Sequence, residues 1–392
     1  MIRTGFKLTK AGEIPIEWNT LPLSELFYFG NGYTPSKADS AFWTNGTIPW
    51  FRVEDIRING HVLNDAIQKI TPLAVKGELF PKNSFIISTS ATIGEYAYVT
   101  VPYLANQRFV CLIKKSVANQ LVDDGYFLCL CESLGQWCRD NCDQGSSFPS
   151  VNMQSFRNHH IPLPPLVEQK KIAKALSDVD VLISDLDALI AKKRDIKQGT
   201  MQQLLAGKKR LPGFTDEWRE QTLNDICSLS KGIQLNSSKM NDSGLYPVFN
   251  GGIAPSGYFS ECNTEANTII ISEGGNSCGF VNYIKEPFWR GGHCYSLSNI
   301  SIDKVFLYHI LKFNEASIMA LRTGSGLPNI KKSTLANFCL KNPQSISEQQ
   351  AIATILTDMD DEIQALEAKR DKYTAIKQGM VQELLTGKIR LV

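Results

Sequence analysis

The sequence predicts an α+β protein built as two copies of one unit, each an irregular α+β domain followed by a long helix. The first observation is a repeat: residues 168–211 return at 348–391 without a gap, and 22 of the 44 positions are identical. The second is an apolar stripe of helical spacing in both copies, and the third is a set of landmarks shared by the segments before them. Such a repeat outranks any local motif as a guide to the fold.

The composition is that of an ordinary globular chain of 392 residues, 43% hydrophobic and 20% charged, with room for two or three domains. No apolar run is long enough to span a bilayer, and the first residues lack a signal-peptide core. The ten cysteines show no disulfide-framework spacing, so we expect a reduced, cytoplasmic protein. With a net charge of +2, any binding of nucleic acid must use a local basic face.

Both repeated segments carry apolar residues whose spacing alternates between four and three, as in a coiled-coil seam. These residues are Ile172, Leu176, Val179, Ile183, Leu186 and Ile190, then Ile352, Leu356, Met359, Ile363 and Leu366. Each helix would run about 40 residues, or roughly 60 Å. Because one stripe cannot be buried alone, we expect the helices to pack on each other, antiparallel if a two-fold axis relates the units. Alternatively, each helix packs only on its own domain.

Local signals mark the ends of both helices. Pro164-Pro165 precedes the first, and Ser345 with Glu348 has the spacing of a capping box at the start of the second. Gly207 and Gly387 follow the last apolar residues and suit a left-handed C-terminal cap. The predicted segments are domains at 1–163 and 208–344 and helices at 164–207 and 345–392.

The two domains share a frame but differ in their loops. Glu17-Trp18 recurs as Glu217-Trp218, and Ile86-Ile87-Ser88 before a glycine resembles Ile270-Ile271-Ser272 before another. Residues 145–151 resemble residues 324–330, short β-type runs lie at 84–88 and 268–272, and one helix is expected near 121–138. A shared scaffold with divergent loops indicates the same kind of task on two different targets.

Motifs for catalysis are absent from the sequence. It has no dinucleotide fingerprint or phosphate loop, and Asn342-Pro343 lacks the rest of an amino-methyltransferase motif. We therefore expect no catalytic residue, metal or cofactor. Three sets of residues that could suggest chemistry have ordinary interpretations. A solvated helix face explains the carboxylates Asp178, Asp180, Asp358 and Asp360, and local packing explains His159-His160. Buried small hydrophobes explain the cysteines, whose spacing is not that of a zinc site: Cys129, Cys131, Cys138 and Cys142.

The layout of two variable domains alternating with two repeated helices resembles the specificity subunit of Type I restriction-modification systems, over essentially the whole chain. The motifs that carry the resemblance are Ile161-Pro162-Leu163-Pro164-Pro165 before Glu168-Gln169, Lys197-Gln198-Gly199 to Leu211, Lys377-Gln378-Gly379 to Leu391, and Gly30-Asn31-Gly32-Tyr33-Thr34-Pro35-Ser36-Lys37. The last is similar to the family's glycine-threonine-proline-serine segment. Lys231-Gly232-Ile233-Gln234 in the second domain departs from it.

The resemblance implies two target recognition domains, each reading one half of a split DNA sequence in the major groove. It implies that the helices act as a spacer and as docking surfaces for two methyltransferase subunits, which carry S-adenosylmethionine and methylate adenine. Restriction subunits with motor and nuclease activity would join them to cleave unmodified DNA. It also implies a circular arrangement. Residues 211–214 run from the first helix into the second domain, and residues 8–18 would supply the equivalent segment to the first domain.

Base readout requires hydrogen-bonding side chains on loops that face the groove, and phosphates require cations. The candidate DNA-contacting residues are Thr34, Ser36, Lys37, Arg52, Ser90, Thr92, Gln107, Arg108, Ser146, Asn152, Lys231, Gln234, Asn250, Asn276, Arg290, His293, Ser325 and Asn329. The candidate partner-docking residues, chosen from the best-matched part of the repeat, are Gly199, Leu204, Leu205, Gly207, Gly379, Leu384, Leu385 and Gly387.

Two other classes of protein remain open at this point. One is an enzyme, a DNA methyltransferase or nuclease with degenerate motifs, which would bind S-adenosylmethionine or cut DNA by itself. The other is a non-catalytic coiled-coil scaffold for protein assembly, which would bind DNA without sequence preference or not at all.

Overall fold

The structure is a computed structural model that describes residues 3–143, 149–324 and 326–392. The chain divides into two compact units, Met1–Asp185 with Arg370–Val392, and Leu186–Lys369. The divisions fall inside both long helices, so each unit contains one α+β domain and a segment of each helix. Among the described residues, no helix is both long and apolar enough to cross a membrane.

The first unit consists of short strands and a few helices, ending in the first long helix. Its strands are β1 (Phe6–Thr9), β2 (Gly12–Pro15), β3 (Asn19–Pro22), β4 (Phe27–Asn31), β5 (Ile48–Phe51), β6 (Val62–Leu63), β7 (Lys69–Ile70), β8 (Ser84–Ser88), β9 (Tyr96–Val99), β10 (Leu104–Ala105), β11 (Phe109–Lys114), β12 (Cys142–Asp143), β13 (Ser150–Val151) and β14 (His160–Leu163). Its helices are α1 (Leu23–Leu26), α2 (Val53–Asn59), α3 (Asp124–Asp140), α4 (Met153–Arg157) and the start of α5 (Leu166–Leu204).

Two sheets form the frame of the first unit. The larger has the order β4-β11-β8-β9-β6 and the smaller the order β10-β5-β7, while β1-β2, β12-β13 and β14-β3 form two-stranded pairs. All five residues of β8 are buried, as expected for a central strand with both faces covered. The main apolar core joins this sheet and α3 to both helical segments, including Leu176 of α5 and Leu384 of the second long helix.

The second unit repeats this construction with fewer strands. Its elements are β15 (Arg219–Thr222), α6 (Leu223–Ile226), β16 (Ser228–Lys231), β17 (Tyr246–Phe249), β18 (Gly257–Phe259), β19 (Thr268–Ser272), β20 (Val281–Ile284), β21 (Trp289–Arg290), β22 (Cys294–Ser298), α7 (Lys304–Phe313), α8 (Glu315–Ala320), α9 (Lys332–Ala336), β23 (Cys339–Asn342) and α10 (Ile346–Leu384). The order β16-β22-β19-β20 corresponds to β4-β11-β8-β9 of the first unit. Likewise, β18-β17-β21 corresponds to β7-β5-β10, and β15-β23 to β3-β14.

Both long helices are present, but they are shorter than the predicted segments 164–207 and 345–392, ending at Leu204 and Leu384. Each has 39 residues, and their ends keep the offset of the repeat. The amide of Glu348 donates to Ser345 Oγ at 3.4 Å, which is one half of the predicted capping box. Gly207 and Gly387 have φ of 65° and 70°, the left-handed conformation expected at the two C-terminal caps. The helix predicted near residues 121–138 is present as α3, capped by Asp123, which accepts from the Tyr126 amide at 3.1 Å.

The repeated Glu-Gln dipeptide fastens each long helix to the domain of its own unit. Gln169 accepts a hydrogen bond from the Asp123 amide at 2.9 Å, and Gln349 accepts one from the Asp303 amide at 2.8 Å. Each glutamine also donates to the carbonyl of a proline at the helix entry, at 2.8 Å in both units. Both side chains are completely buried, so the repeat preserves a structural contact between helix and domain.

Ion pairs link the two helical segments inside each unit. In the first unit Lys377 Nζ lies 2.6 Å from Asp180 Oδ1. In the second unit Lys197 pairs with Asp360, the equivalent residues after the repeat offset. Lys193 Nζ also lies 2.7 Å from Glu362 Oε1. Of the four carboxylates predicted to form a solvated face, at least these two are paired with lysines of the other helix.

Candidate nucleic-acid interface

Five loops converge at one end of the sheets in the first unit. We call residues 31–37, 51–52, 88–92, 105–109 and 149–152 the first loop cluster. Backbone hydrogen bonds join them: the Tyr33 amide donates to the Ala105 carbonyl at 2.8 Å, and the Asn106 amide to the Phe51 carbonyl at 3.0 Å. The Thr89 amide donates to the Arg108 carbonyl at 3.0 Å. The loops are therefore held by the main chain, which leaves side chains free to vary.

The second unit has loops joined in the same way. We call residues 231–234, 249–252, 272–279, 290–294 and 328–331 the second loop cluster. The Ile233 amide donates to the Arg290 carbonyl at 3.0 Å, and the Gly291 amide to the Phe249 carbonyl at 2.9 Å. The Glu273 amide donates to the His293 carbonyl at 2.8 Å. Each of these three bonds has its counterpart in the first loop cluster.

A glycine permits the closest approach in each cluster. A Cβ added to Gly32 would lie 2.1 Å from the Asn106 carbonyl oxygen, and one added to Gly232 would lie 2.2 Å from the Arg290 carbonyl oxygen. Both neighbours are backbone atoms, so a larger residue would push the first loop away from the fourth. The two glycines are thus required by packing rather than by backbone conformation.

The first loop cluster brings the predicted residues of its domain together, apart from Ser146, which lies outside the described residues. Thr34 Oγ1 donates to Gln107 Oε1, and Lys37, Gln107 and Arg108 are exposed. The Ser90 backbone pairs with Ser150. The remaining predicted residues of this cluster are Ser36, Arg52, Thr92 and Asn152. The cluster contains three cations and no carboxylate, which suits contact with a polyanion.

Two of these residues have evident structural contacts. Asn152 caps α4 by accepting from the Gln154 and Ser155 amides at 2.9 and 3.0 Å. The Arg52 guanidinium carbon lies 5.9 Å from the centre of the Trp50 ring, and the Arg52 side chain is about one-quarter exposed. The side-chain oxygen of Asn152 is therefore occupied, whereas part of Arg52 still faces solvent.

In the second loop cluster, Lys231 and His293 meet at one carboxylate. Lys231 Nζ pairs with Glu273 Oε1, and His293 Nδ1 lies 3.7 Å from Glu273 Oε2. Arg290 points elsewhere, because its Nη1 donates to Ser230 Oγ at 2.9 Å. The other predicted residues in this cluster are Gln234, Asn250, Asn276 and Asn329; Ser325 lies outside the described residues.

Glu273 lies in the second loop cluster but is absent from the candidate DNA-contacting residues, which were limited to basic and uncharged hydrogen-bonding side chains. A signal was nevertheless present: aligning Ile86-Ile87-Ser88 with Ile270-Ile271-Ser272 puts Glu273 opposite Thr89. The structure confirms that equivalence, since the Val151 amide donates to the Thr89 carbonyl and the Ile330 amide to the Glu273 carbonyl, both at 2.9 Å.

The predicted docking leucines require a correction. Leu204 and Leu205 are buried in the core of the second unit, and Leu384 and Leu385 in the core of the first, with 3–5% of each residue exposed. Their side chains are therefore unavailable to a partner in this structure. The apolar pattern was right about burial but did not reveal that the protein itself covers these residues.

The four glycines chosen with those leucines form two different pairs. Gly207 and Gly387 lie against Trp218 and Trp18, respectively, each within its own unit. Gly199 and Gly379 are exposed, and a Cβ added at either would meet no atom within 4 Å. These two remain accessible on the helix surfaces.

The cysteine and histidine groups have the surroundings of packing residues. Burial raises the pKa of the Cys129 thiol to about 11 and that of Cys138 to about 12. The His159 ring lies 4.6 Å from the Trp137 ring, and burial lowers its pKa. Within the described ranges no group of three or more His, Cys, Asp or Glu side chains is arranged to hold a metal ion.

Two loop clusters with one backbone frame, different side chains and an excess of cations are the arrangement expected of a protein that recognises nucleic acid. The sequence matches the family described as "Type I restriction modification DNA specificity domain" over residues 15–195 and 215–374. The chain therefore belongs to the Type I restriction-modification DNA specificity family, and it functions in DNA sequence recognition as a specificity subunit.

Relatives along almost the whole chain carry the same description. The Type I restriction enzyme EcoprrI specificity subunit of Escherichia coli is 37% identical over 362 residues, which cover 88% of each chain. The MjaVIII specificity subunit of Methanocaldococcus jannaschii is 22% identical and covers 98% of this chain and 96% of its own. The crystal structure of a Type I S subunit from M. genitalium has a TM-score of 0.66 at 19% identity, covers 94% of this chain and 96% of its own, and shows the fold.

Proposed function

We propose that each loop cluster reads one half of a bipartite double-stranded DNA target through the major groove. The observation that carries this proposal is the common backbone frame with different side chains: Thr89 and Arg108 in the first cluster stand where Glu273 and His293 stand in the second. Side chains of different hydrogen-bonding capacity at equivalent positions would select different bases. The candidate DNA-contacting residues within the clusters supply both base contacts and phosphate contacts.

We assign the target recognition domains to residues 1–163 and 208–344, and the spacer helices to 164–207 and 345–392. The helices α5 and α10 lie inside the two spacer segments. The sheet order β4-β11-β8-β9 and its counterpart β16-β22-β19-β20 support an internal repeat with quasi-two-fold symmetry. The two domains would thus present equivalent surfaces to two half-sites on one duplex.

The spacer helices would form an antiparallel coiled coil. In the first unit Asp180 pairs with Lys377, and in the second unit Lys197 pairs with Asp360. In the second unit Lys193 pairs with Glu362 and Lys197 with Asp360, so the partner numbers fall along α10 as they rise along α5. The pairs of Glu168 with Arg390 and of Arg210 with Glu348, which involve residues just beyond the helix ends, follow the same order. Antiparallel packing is what a two-fold axis requires of repeated helices.

The partners would be two methyltransferase subunits, joined by restriction subunits, in the cytoplasm. The family membership supports this assembly, and the repeat supplies two equivalent docking sites. With the leucines buried, we assign the docking surface to the exposed helix faces around Gly199 and Gly379. Methyl transfer and cleavage would then belong to the partner subunits, with this chain determining where they act.

A domain exchange tests the recognition proposal. Replacing residues 1–163 with the corresponding domain of a relative that recognises a different sequence should change one half of the methylated target. The other half should stay the same, because the second loop cluster and both helices are retained. Sequencing of methylated adenines in cells that carry the complete system gives both halves at once.

A second exchange, of residues 208–344, is the matched control and should change only the opposite half. The proposal is wrong if either exchange changes both halves together, or if a folded, active exchange leaves the methylated sequence unaltered. Loss of all methylation with normal complex assembly would indicate a damaged interface; the reciprocal exchange then decides whether the two readouts are separate.

A further inference from the structure

Glu273 occupies a position shared by both loop clusters, at the end of a central strand. In the first unit Phe109 pairs with Ser88, and in the second Cys294 pairs with Ser272, so the registers coincide. The residue after each serine is therefore equivalent: Thr89 in one cluster and Glu273 in the other. The same registers make Asn31 equivalent to Lys231, and Arg108 to His293.

In the second cluster these positions form a connected group of charged and polar side chains. Glu273 Oε1 pairs with Lys231 and accepts from the Tyr295 hydroxyl at 3.0 Å, while Oε2 faces His293. The same hydroxyl oxygen lies 3.0 Å from the Ile330 carbonyl oxygen, so its single proton is shared between these two acceptors. The first cluster has Val110 at the place of Tyr295, so it contains neither the carboxylate nor its hydroxyl donor.

Exposure separates the roles of these side chains. The Glu273 side chain is 12% exposed, whereas those of Lys231 and His293 are 50% and 64% exposed. The carboxylate thus lies beneath the two basic side chains, where it fixes the ammonium group without itself facing a phosphate. A lysine is otherwise a flexible point charge with a rotatable donor group, so such a contact gives it a direction.

We propose that Glu273 is a specificity-determining positioning residue, which holds Lys231 to donate to a guanine in the half-site of the second domain. This inference rests on the proposed reading of one half-site by each domain. Guanine presents two adjacent acceptors, O6 and N7, in the major groove, and a directed lysine is complementary to them. The first domain, with Asn31 and Thr89 in the equivalent places, selects a different base there.

The experiment uses the full-length chain assembled with its methyltransferase subunits. Binding to a pool of duplexes, randomised one position at a time through both half-sites, is measured by sequencing the bound fraction. Glu273→Gln keeps the shape but removes the charge that holds Lys231. We expect an about 10- to 100-fold loss of preference for guanine at one position of the second half-site. Preferences in the first half-site should not change.

Lys231→Met should abolish preference at that same position, and the double variant should lose little more, because both changes remove one contact. Glu273→Asp keeps the charge but withdraws it by one methylene, so an intermediate loss at that position is expected. It also provides a test if Glu273→Gln does not fold. Glu286→Gln, an exposed acid of the same domain, is the matched control and should leave every preference unchanged.

Three outcomes would overturn the inference: unchanged preferences in both Glu273 variants, a uniform loss of binding to all duplexes, or effects of the Glu273 and Lys231 variants at different positions. A uniform loss would indicate a purely structural role. If the wild-type complex itself shows no sequence preference, the proposed function fails instead. A wild type that prefers a bipartite sequence with no guanine at the Lys231-dependent position would contradict this inference alone.

Discussion

At the residue scale, one group of side chains closes the first unit. Arg390 Nε and Nη2 donate to the two oxygens of Glu168 at 2.7 and 2.9 Å. The Trp18 indole donates to Glu168 Oε2 at 3.1 Å, and the Arg390 guanidinium carbon lies 5.7 Å from the centre of the Trp18 ring. Glu17 pairs with the same arginine. These contacts join residues that follow α10 to the segment between β2 and β3 within the first unit.

The second unit contains the same group. Arg210 donates to both oxygens of Glu348, at 2.6 and 2.7 Å, and its guanidinium carbon lies 5.8 Å from the centre of the Trp218 ring. Here the Trp218 indole nitrogen is buried without a hydrogen-bond partner. The bidentate pair between arginine and glutamate recurs, and so does the contact of the arginine with the tryptophan ring, whereas the indole hydrogen bond does not.

The pair between Arg390 and Glu168 should stabilise the first unit in a pH-dependent way. Burial alone would raise the pKa of Glu168, but hydrogen bonds from Arg390 and Trp18 outweigh it and lower the pKa. The ionised carboxylate therefore stabilises the fold above the pKa of the unfolded chain, and this contribution disappears as the pH falls through the folded pKa. Arg390→Ala should lower the free energy of unfolding by about 1–3 kcal/mol at pH 7, between the values for exposed and buried pairs.

Urea unfolding between pH 3 and 8 measures both effects. Glu168→Gln is the matched control, since it should remove the part of the acid dependence that comes from this carboxylate. Lys208→Ala, at an exposed cation, should change the free energy by less than about 0.5 kcal/mol. An Arg390→Ala protein as stable as Lys208→Ala at pH 7 would contradict a stabilising role for the pair.

At the element scale, the long helices could be predicted because their signals are local and occur twice. The apolar spacing, the prolines before residue 166 and the glycines at 207 and 387 each depend on neighbours within a few residues. The pairing of Glu168 with Arg390 could not be predicted in this way, because the two residues are 222 positions apart. Periodicity also cannot tell burial inside the chain from burial under a partner, which is why Leu204 and Leu384 were assigned to docking.

The exposed helix glycines test the docking proposal at the same scale. Gly199→Glu and Gly379→Glu place a charged side chain where an added Cβ meets no atom within 4 Å, so folding should not suffer. Glutamate is also a better helix former than glycine, by roughly 0.5–1 kcal/mol. We expect each variant to lose one methyltransferase subunit and the double variant to lose both, measured by native mass spectrometry.

Ala191→Glu, at an exposed position elsewhere on α5, is the matched control and should retain both subunits. Gly199→Ala and Gly379→Ala then separate size from charge, because alanine adds a single methyl group. Two bound methyltransferase subunits in the folded double glutamate variant would show that docking uses another surface.

At the scale of the whole molecule, the repeated order of domain and helix could be predicted from the sequence, whereas the proposed recognition site could be predicted only in part. The two loop clusters are assembled from five loops in each unit, and contacts such as Glu273 with Lys231 depend on strand registers far apart in sequence. Most of the candidate DNA-contacting residues, which were selected for their hydrogen-bonding capacity, lie in those loops. Their individual roles required the structure: Arg290 bonds to Ser230, and Asn152 caps a helix.

The spacing of the two half-sites is the property that the whole molecule should determine. If the helices set the distance between the domains, lengthening both should separate the half-sites without changing either. The variant has four alanines inserted after Lys193 in α5 and four after Asp361 in α10. The ion pair of Lys193 with Glu362 then lies on one side of the inserted residues, and that of Lys197 with Asp360 lies on the other. Because both helices are lengthened equally, each of these pairs can still form. Four residues add about 6 Å and rotate the helix by roughly 40° beyond one turn.

Since DNA rises about 3.4 Å per base pair, the non-specific gap between the half-sites should lengthen by one or two base pairs. The methylated sequences report this directly, because both halves should remain identical while their separation grows. Insertion after Lys193 alone is the informative control: it shifts α5 against α10 and should reduce activity more than it shifts the gap. A one-residue insertion rotates the apolar stripe by about 100° and should damage folding. An active protein with the double four-residue insertion and an unchanged gap would mean that the helices do not determine the spacing.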